Sequence, residues 1–374
     1  MRLKILMVCW DLSANSLVRT YPFAKFLSKE HDVKVIGYCS KDIFSYYKDD
    51  KDIKYIPIKN KKKVIPEVIK HARDSDIIHC FKFVPGSFMP SVIAKLLTRK
   101  KLVLDIEDYE SAWNKSLWMK FWEKMTFIAD RKIVSTSFLK NKFGGTYIPT
   151  GINTELFNST KYNPNGFRKK NNIKPDETVV MFTGTFKFYK GCGELIAACE
   201  ELVSEGEKIK CIFVGNIEER HKDVVSSIYP QLKSVVFMKS VMFDELPKVI
   251  SGADIIAVPQ TQGVGEQAQI PAKIFDAMAM AKPIIATKVG DIPNVVADAG
   301  IIVDDFTHEN KSEWVKKETL SRKGIDGIKE AIKKLAYSQK LRKELGKKAR
   351  IRCVENYSWE IMKNKTLEIY NSLF

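Results

Sequence analysis

Two lysine residues and a carboxylate in the second half of the chain stand where they could bind a charged ligand. Lys190 lies in FTGTFKFYKGCGELIAA (182–198), which runs from an apolar strand pattern through a turn into a helix pattern. Free N–H groups at a helix start, with Lys190 beside them and Lys187 nearby, form a cradle for phosphate. The spacing of a P-loop is absent, and a plain turn explains these glycines equally well.

The carboxylate is Asp276, inside the apolar helix pattern QIPAKIFDAMAMAKPIIAT (269–287). Lys273 lies three residues before it and therefore on the same helix face. The turn around Gly265 could bring backbone amides close to a ligand. On their own, Lys273 and Asp276 are more simply explained as a surface ion pair. Their place between two predicted strands, at a sheet edge where ligands bind, favours a binding role.

A second candidate site lies in the stretch DIEDYE (105–110) of the first half. Asp105, Glu107 and Asp108 end a predicted strand, where they could act as a general base or contact an acceptor hydroxyl group. A helix-capping acidic turn explains them equally well. His79 ends the preceding predicted strand, and a buried core histidine is the favoured interpretation there.

Aromatic residues alternate with lysine in SAWNKSLWMKFWEKMTFIADRK (111–132). At helical spacing this pattern suits a membrane interface, with aromatic side chains toward the lipid and lysines toward its phosphates. An amphipathic core helix gives the same pattern and is the favoured interpretation. Stacking on nucleic-acid bases is a third interpretation, but no nucleic-acid-binding motif accompanies it.

The elements that position these residues must belong to more than one domain, because 374 residues exceed the size at which single cores stop growing. A hydrophobic fraction of 45% is typical of a soluble globular protein, and no apolar run is long enough to span a bilayer. We expect a first strand rather than a signal peptide, because Asp11 ends the first apolar run. Seven scattered cysteines indicate a reduced cytoplasmic protein, and the five histidines predict no metal site.

The net charge of +17 is concentrated in the first part of the chain. Residues 1–150 hold 28 Lys and Arg against 16 Asp and Glu, a balance of +12. Such a field suits an anionic membrane surface or nucleic acid. A lysine-rich solvated surface explains the charge equally well.

Short apolar runs alternate with amphipathic helix patterns along the chain, which is typical of β-α-β units on a parallel sheet. We therefore predict an α/β fold with two Rossmann-like doubly wound domains. The domains are predicted to span residues 1–160 and 161–357, and a C-terminal helix within 358–374 is predicted to pack back on the first domain.

The chain resembles the retaining glycosyltransferases of the GT-B fold, family 4, also called glycosyltransferase group 1. The motifs that carry the resemblance include FTGTFKFYKGCGELIAA, IFVGN, PAKIFDAMAMAKPIIATKVGDIPNVV, GIIVDD and YSWE in the second half, and DIIHCFK, STSFLKNKFG and YIPTGINTELF in the first. The resemblance covers nearly the whole chain. It implies two domains facing each other across a cleft, with a nucleotide-sugar donor held mainly by the second and the acceptor by the first. The stretch THENKSEWVKKETLSRKG (307–324) looks like an insertion.

In that family a basic pair holds the donor diphosphate. Lys190 matches its lysine, whereas Thr185 stands where arginine is usual, and we expect Lys187 to substitute. Of the two family acids, the second falls on Asp276 and the first on Ala268. The residues expected to be catalytic are Lys190 and Asp276, and those expected to bind substrates are Gly184, Thr185, Lys187, Gly191, Gly265, Glu266, Lys273, Asp105, Glu107, Asp108 and His79.

The resemblance implies transfer from a UDP- or GDP-sugar to an acceptor, without metal or other cofactor. We expect the acceptor to be a lipid-linked or cell-envelope glycan at the inner membrane surface, and the membrane part of this expectation rests on the basic, aromatic first half of the chain. Lys190 would stabilise the leaving diphosphate, and Asp276 would accept hydrogen bonds from ribose. Two alternatives stay open. Thr185 and Ala268 are compatible with a non-catalytic nucleotide-sugar-binding or partner subunit, and charge alone suggests a nucleic-acid-binding or nucleic-acid-modifying protein.

Overall fold

A computed structural model of the chain describes residues 2–44, 47, 50–307 and 319–374. Most of the stretch expected to be an insertion, residues 308–318, lies outside these ranges. The described chain forms two compact units. The first unit comprises Met1–Gly151, Ala268–Ile270 and Tyr357–Phe374, and the second comprises Ile152–Gln267 and Pro271–Asn356.

The first unit is built on a parallel sheet with seven strands in its described residues. The strands are β1 (Lys4–Asp11), β2 (Asp32–Tyr38), β3 (Lys54–Ile58), β4 (Ile77–Phe81), β5 (Lys101–Ile106), β6 (Arg131–Val134) and β7 (Thr146–Tyr147). Their order is β3-β2-β1-β4-β5-β6-β7, so the winding direction reverses between β1 and β4. Doubly wound sheets bind ligands at such a reversal, beyond the carboxyl ends of the strands.

Helices connect these strands and cover the sheet. They are α1 (Leu17–Leu27), α2 (Val64–Arg73), α3 (Phe88–Thr98), α4 (Glu110–Trp113), α5 (Leu117–Lys124) and α6 (Ser137–Phe143). The core forms where the continuous apolar runs of β1, β4 and β5 meet α2 and α3, as expected for parallel strands buried on both faces.

The second unit repeats this plan with six strands in its described residues. They are β8 (Thr178–Thr183), β9 (Ile209–Val214), β10 (Val235–Met238), β11 (Ile255–Val258), β12 (Ile284–Thr287) and β13 (Gly300–Val303). The order β10-β9-β8-β11-β12-β13 reverses between β8 and β11, and the recorded pairs are parallel. The predicted fold class, with two Rossmann-like doubly wound sheets, is confirmed.

The helices of the second unit are α7 (Pro164–Lys170), α8 (Cys192–Ser204), α9 (Glu219–Ile228), α10 (Leu246–Ser251), α11 (Val264–Gln267), α12 (Lys273–Ala279), α13 (Ile292–Val296), α14 (Arg322–Ala336) and α15 (Gln339–Tyr357). α8 and α14 cover one face of the sheet, where they share a hydrophobic core with β8 and β9.

The last helix, α16 (Trp359–Asn371), belongs to the first unit and packs against α1. Ser358 caps it by accepting a hydrogen bond from the Ile361 N–H, a usual signal for a helix start. The Tyr370 side chain is fully buried. Among the described residues, no helix combines the length and the apolar character that crossing a membrane requires.

Candidate functional site

The loop between β8 and α8 lies at the winding reversal of the second sheet. It leaves β8 through Gly184, which has a φ of +108°, and enters α8 through Gly191, which has a φ of +68°. A Cβ atom at Gly191 would lie 1.8 Å from the carbonyl oxygen of Pro259, just after β11. Only glycine fits there, so the loop is held directly against the carboxyl end of β11.

Lys190 ends the 3-10 turn in this loop and is half-buried. Its Nζ donates a hydrogen bond to the Thr185 carbonyl oxygen at 3.3 Å. Burial lowers the pKa of Lys190, and the charge of Lys187 lowers it further. No carboxylate among the described residues pairs with this ammonium group, so an anionic ligand would supply its counter-charge.

Lys273 brings a second ammonium group to the same loop from α12. Its Nζ lies 3.3 Å from the ring centroid of Phe182 and 3.7 Å from the place where a Cβ atom of Gly184 would be. Burial holds the pKa of Lys273 well below its usual value, and the charge of Lys190 lowers it further. The geometry thus places two desolvated cations, Lys190 and Lys273, beside the Gly184 turn.

Lys187 is less available for an anion than we expected. Its ammonium group pairs with Glu218, whose carboxylate also contacts Arg220 at 2.6 Å. The hydrogen bond from Lys187 lowers the pKa of Glu218. The positive charge of Lys187 is therefore already balanced by this carboxylate. Among the described residues of this loop and α12, the second cation without an ion pair is therefore Lys273, in the place where we expected Lys187.

Asp276 lies on α12, one turn after Lys273. All seven residues of this helix are buried, and Lys273 and Asp276 keep 9% and 8% of their surface exposed. Burial raises the pKa of Asp276 to about 7, and the charge of Lys273 opposes this shift. Within the described chain, the carboxylate forms no ion pair, so it can accept hydrogen bonds from a ligand.

The loop after β11 adds Gly265 and Glu266, both of them buried in the short helix α11. The Glu266 carboxylate folds over Gly263, since a Cβ atom there would lie 2.0 Å from its Oε2. Gln260 Nε2 donates to the Glu266 carbonyl oxygen at 2.9 Å and fixes the turn. Ala268, where the family's first acid is expected, is fully buried and belongs to the first unit.

The first unit holds an acidic cluster at the carboxyl edge of β4 and β5, around a residue that sequence reasoning missed. Lys82 Nζ lies 2.5 Å from Asp108, 2.8 Å from Glu110 and 3.1 Å from Glu107. Lys82 follows β4 with a φ of +67°, a conformation uncommon for residues with a side chain. Burial raises the pKa of Glu107 to about 7, whereas burial of Asp108 is outweighed by Lys82, so the Asp108 pKa is lowered. Glu107 and Asp108 thus both belong to the cluster around Lys82.

Asp105 and His79, which we expected to bind substrates, do not join this cluster. Both side chains are fully buried. Asp105 pairs with both nitrogens on one side of Arg19, at 3.1 and 3.0 Å. His79 Nδ1 lies 2.7 Å from the Tyr370 hydroxyl group, and burial lowers the pKa of His79 to about 3. His79 is therefore the core histidine that we favoured, and Asp105 is a structural counter-ion.

The aromatic stretch only partly follows the favoured interpretation of a core helix. α5 buries Met119 and Trp122, as an amphipathic helix should. Leu117, Trp118 and Phe121 are exposed. The apolar character of α5 therefore extends around the helix, beyond the face that the core needs.

The described residues contain no group of three or more His, Cys, Asp or Glu side chains that could hold a metal ion. The seven cysteines are all buried and unpaired. Burial raises the pKa of Cys192, at the start of α8, to about 11, so this thiol stays protonated at neutral pH.

Residues 177–316 match the family model described as "Glycosyl transferases group 1". The α-maltose-1-phosphate synthase of Mycolicibacterium smegmatis is 26% identical over 201 residues, which are 52% of this chain and 48% of that protein. A GDP-mannose-dependent mannosyltransferase of Corynebacterium glutamicum is 22% identical over 242 residues, or 62% of this chain and 58% of that protein. The chain thus spans about half the length of the first curated relatives that it matches.

Solved structures share the fold over nearly the whole chain. HepE of Anabaena, in complex with UDP and glucose, has a TM-score of 0.77 at 15% identity and covers 99% of this chain and 100% of its own. A glycosyltransferase of Rickettsia africae has a TM-score of 0.73 at 18% identity and covers 99% of this chain and 98% of its own. At these identities the likeness concerns the fold.

Proposed function

We propose that this chain, which belongs to the group 1 glycosyltransferases through residues 177–316, transfers a sugar from a nucleotide-sugar donor to an acceptor hydroxyl group. The observation that carries the proposal is the pair of desolvated ammonium groups, Lys190 and Lys273, beside the Gly184 turn. Taking two like charges out of water is unfavourable unless an anion compensates them. A nucleoside diphosphate ester carries two negative charges and matches that requirement.

The donor that we propose is a UDP- or GDP-sugar. HepE was solved with UDP and with UDP-glucose, and the name of the Corynebacterium relative states that it depends on GDP-mannose. In the second unit, Lys190 and Lys273 would hold the diphosphate. Asp276, without an ion pair in the described part of the chain, would accept hydrogen bonds from ribose hydroxyl groups and orient the nucleotide.

The chemistry that follows is electrostatic. The bond between the anomeric carbon and the diphosphate oxygen breaks, and a bond forms between that carbon and the acceptor oxygen. Negative charge develops on the leaving diphosphate, where two preorganised cations in a water-poor site stabilise it without a metal ion. Attack on the same face, with the leaving phosphate oxygen taking the acceptor proton, would retain the anomeric configuration and requires no nucleophilic side chain.

The acceptor that we propose is a glycan or lipid-linked glycan of the cell envelope, bound by the first unit at the inner face of the membrane. The cluster of Lys82, Glu107, Asp108 and Glu110 supports this, because partly exposed carboxylates accept hydrogen bonds from sugar hydroxyl groups. The positive balance of residues 1–150 suits an anionic membrane surface.

A second candidate function is nucleotide-sugar binding without transfer. Thr185 and Ala268 favour it, because each replaces a charged residue that the family uses. Under this alternative the protein would bind the donor and neither transfer nor hydrolyse it.

Thermal-shift measurements against UDP- and GDP-sugars, with the free nucleotides as controls, test the donor site. A ligand that binds only the folded chain raises the unfolding midpoint in proportion to the logarithm of its concentration over Kd. We expect one nucleotide class to raise the midpoint and the other to leave it unchanged. If no nucleotide sugar stabilises the protein, the proposed donor site is wrong. Donor turnover with an acceptor glycan then separates the enzyme from the binding subunit.

Donor affinity should depend on pH through Asp276. Because the folded-state pKa of Asp276 is raised to about 7, its carboxylate is mostly protonated below that pH and ionised above it. We expect the affinity for the matched nucleotide sugar to increase up to about tenfold between pH about 6 and about 8. Isothermal titration calorimetry at these pH values measures the change.

The control for this pH dependence is Asp276→Asn, which keeps the shape of the side chain and removes its titration. We expect this variant to bind the donor more weakly at pH about 8 and to lose most of the pH slope. A nucleotide sugar is preferable to a free nucleotide because its esterified diphosphate lacks the terminal phosphate group that titrates near pH about 6. An unchanged slope in the variant would exclude Asp276 as the titrating group.

A further inference from the structure

We propose that the exposed face of α5, continued by Phe127, docks the first unit on an anionic membrane surface. The idea that the acceptor is lipid-linked rests on the proposed function. The docking surface is inferred separately, from the exposure, the charge and the helix geometry of α5. Leu117, Trp118 and Phe121 of α5 keep 84%, 54% and 46% of their surface exposed, and Phe127 in the following turn keeps 72%. Large apolar side chains grouped on one short segment mark an interaction surface more often than scattered ones do.

Two other residues of α5, Met119 and Trp122, pack into the core and fix the orientation of the helix, so that Leu117, Trp118 and Phe121 stay on its exposed side. Met119 and Trp122 fill the core-facing side, and the Trp122 ring contacts the edge of Phe88 at a centroid distance of 5.8 Å. Trp118 and Phe121 stack on each other at 5.7 Å with an interplanar angle of 10°. The exposed rings thus form a rigid apolar platform on a packed helix.

Lysines flank this platform. Lys120 and Lys124 are exposed and lie one turn apart on α5, and Lys115 is exposed just before the helix. No carboxylate in the described residues pairs with any of them, whereas Glu123 pairs with Lys142 at 2.9 Å. The face is therefore apolar at its centre and cationic at its side, the pattern of helices that lie in a membrane interface.

An anionic lipid surface fits this face better than a second copy of the chain does. Two copies meeting through α5 would bring their unpaired lysines together, in a unit whose first 150 residues already carry a balance of +12. Anionic lipid head groups attract the same lysines, and aromatic side chains are favoured at the level of the head groups. Charge complementarity thus selects the membrane.

α5 follows closely in the chain after the cluster around Lys82, where we propose that the acceptor binds. α4 begins at Glu110, a member of the cluster around Lys82 at the carboxyl edge of the first sheet, and α5 begins seven residues later. A chain docked through α5 would hold this edge close to the lipid surface. A lipid-linked acceptor could then reach the cluster without leaving the membrane.

Vesicle co-sedimentation of the full chain tests the surface. We expect the protein to bind vesicles of phosphatidylcholine with phosphatidylglycerol, and to bind vesicles of phosphatidylcholine alone at least about tenfold more weakly. Leu117→Ser/Phe121→Ser and Lys120→Glu/Lys124→Glu should each reduce the partition coefficient on anionic vesicles at least about tenfold.

The second unit offers matched controls on α15. Lys343 and Lys347 are exposed lysines with the same spacing as Lys120 and Lys124, and Ile351 and Val354 are partly exposed apolar residues. Lys343→Glu/Lys347→Glu and Ile351→Ser/Val354→Ser should bind anionic vesicles like the wild type. Equal loss in the control pair would show that total charge, not this face, drives binding and would overturn the proposal.

Two further measurements keep the outcomes separate. Sedimentation equilibrium without vesicles shows whether α5 instead holds two copies together: a dimer that Leu117→Ser/Phe121→Ser dissociates would overturn the membrane assignment. Thermal shift with the matched nucleotide sugar should be the same in the α5 variants and the wild type, which shows that they fold. Donor binding without vesicle binding would refute only the docking surface, and the reverse result would refute only the proposed function.

Discussion

Replacing Lys190 by alanine should lower kcat about 100- to 1000-fold, the usual loss when one preorganised electrostatic contact to a developing charge is removed. The Lys190 ammonium has no carboxylate partner among the described residues, and its hydrogen bond goes to the Thr185 carbonyl oxygen. Its charge is thus free to act on the leaving diphosphate. Steady-state transfer kinetics with the matched donor measure the loss.

Lys187→Ala is the matched control, because it removes the same charge from the same loop. Lys187 pairs with Glu218, so we expect its removal to reduce kcat at most about tenfold.

Lys273→Met, which keeps the length of the side chain, should resemble Lys190→Ala because Lys273 provides the second cation. Lys190→Ala removes a desolvated charge and should therefore leave the unfolding midpoint unchanged or raised. Equal losses for Lys187→Ala and Lys190→Ala would contradict the assignment of the second cation to Lys273.

The strands of both units could be predicted because a parallel strand that is buried on both faces appears as a continuous apolar run, as in Lys101–Ile106. The short strand β7 cannot be predicted in this way, for the converse reason. It consists only of Thr146 and Tyr147, neither of them buried, so no apolar run marks it. Periodicity also predicted α5 as a helix, but it could not show that Met119 and Trp122 alone fill the core side.

Sequence patterns identify candidate site residues where the motif spacing is local, but they do not predict contacts between residues that are far apart in the chain. Lys190 and Asp276 follow from their places in a loop and a helix. The pairing of Lys187 with Glu218 joins residues 31 positions apart, and no local pattern predicts it. Lys82 was missed because its carboxylates lie 26 and 28 positions further along the chain.

Asp105 shows the same limit most clearly. At the end of a strand it has the sequence features of a substrate-binding acid, yet its partner Arg19 lies 86 positions earlier. The sequence alone offers no signal for this pair, since an arginine inside α1 is usually solvent-exposed. The buried pair of Arg19 and Asp105 therefore leads to a prediction about the stability of the first unit.

Replacing Arg19 by methionine should destabilise the first unit by about 3–5 kcal/mol, the usual effect of stranding one partner of a buried ion pair. Arg19 is 1% exposed and Asp105 is 0% exposed. Besides Asp105, the guanidinium donates to the Ile148 carbonyl oxygen at 2.7 Å, and that acceptor would also lose its partner. Urea unfolding followed by tryptophan fluorescence measures the loss, because five of the six tryptophans lie in the first unit.

The pH dependence of the unfolding free energy of Arg19→Met shows whether the unpaired Asp105 carboxylate causes the loss of stability. Burial already raises the pKa of Asp105, and loss of the arginine raises it further, so the stranded carboxyl group can take up a proton. When the folded-state pKa of a group is raised, the folded protein loses stability as pH rises through that pKa. Arg19→Met should therefore be less destabilised near pH about 5 than near pH about 8.

Arg19→Met/Asp105→Leu removes both charges and should recover most of the lost stability. Lys4→Met, which breaks the exposed pair with Asp74, should hardly change the midpoint. A double variant as unstable as Arg19→Met would show that lost packing, rather than a stranded charge, sets the stability of this core.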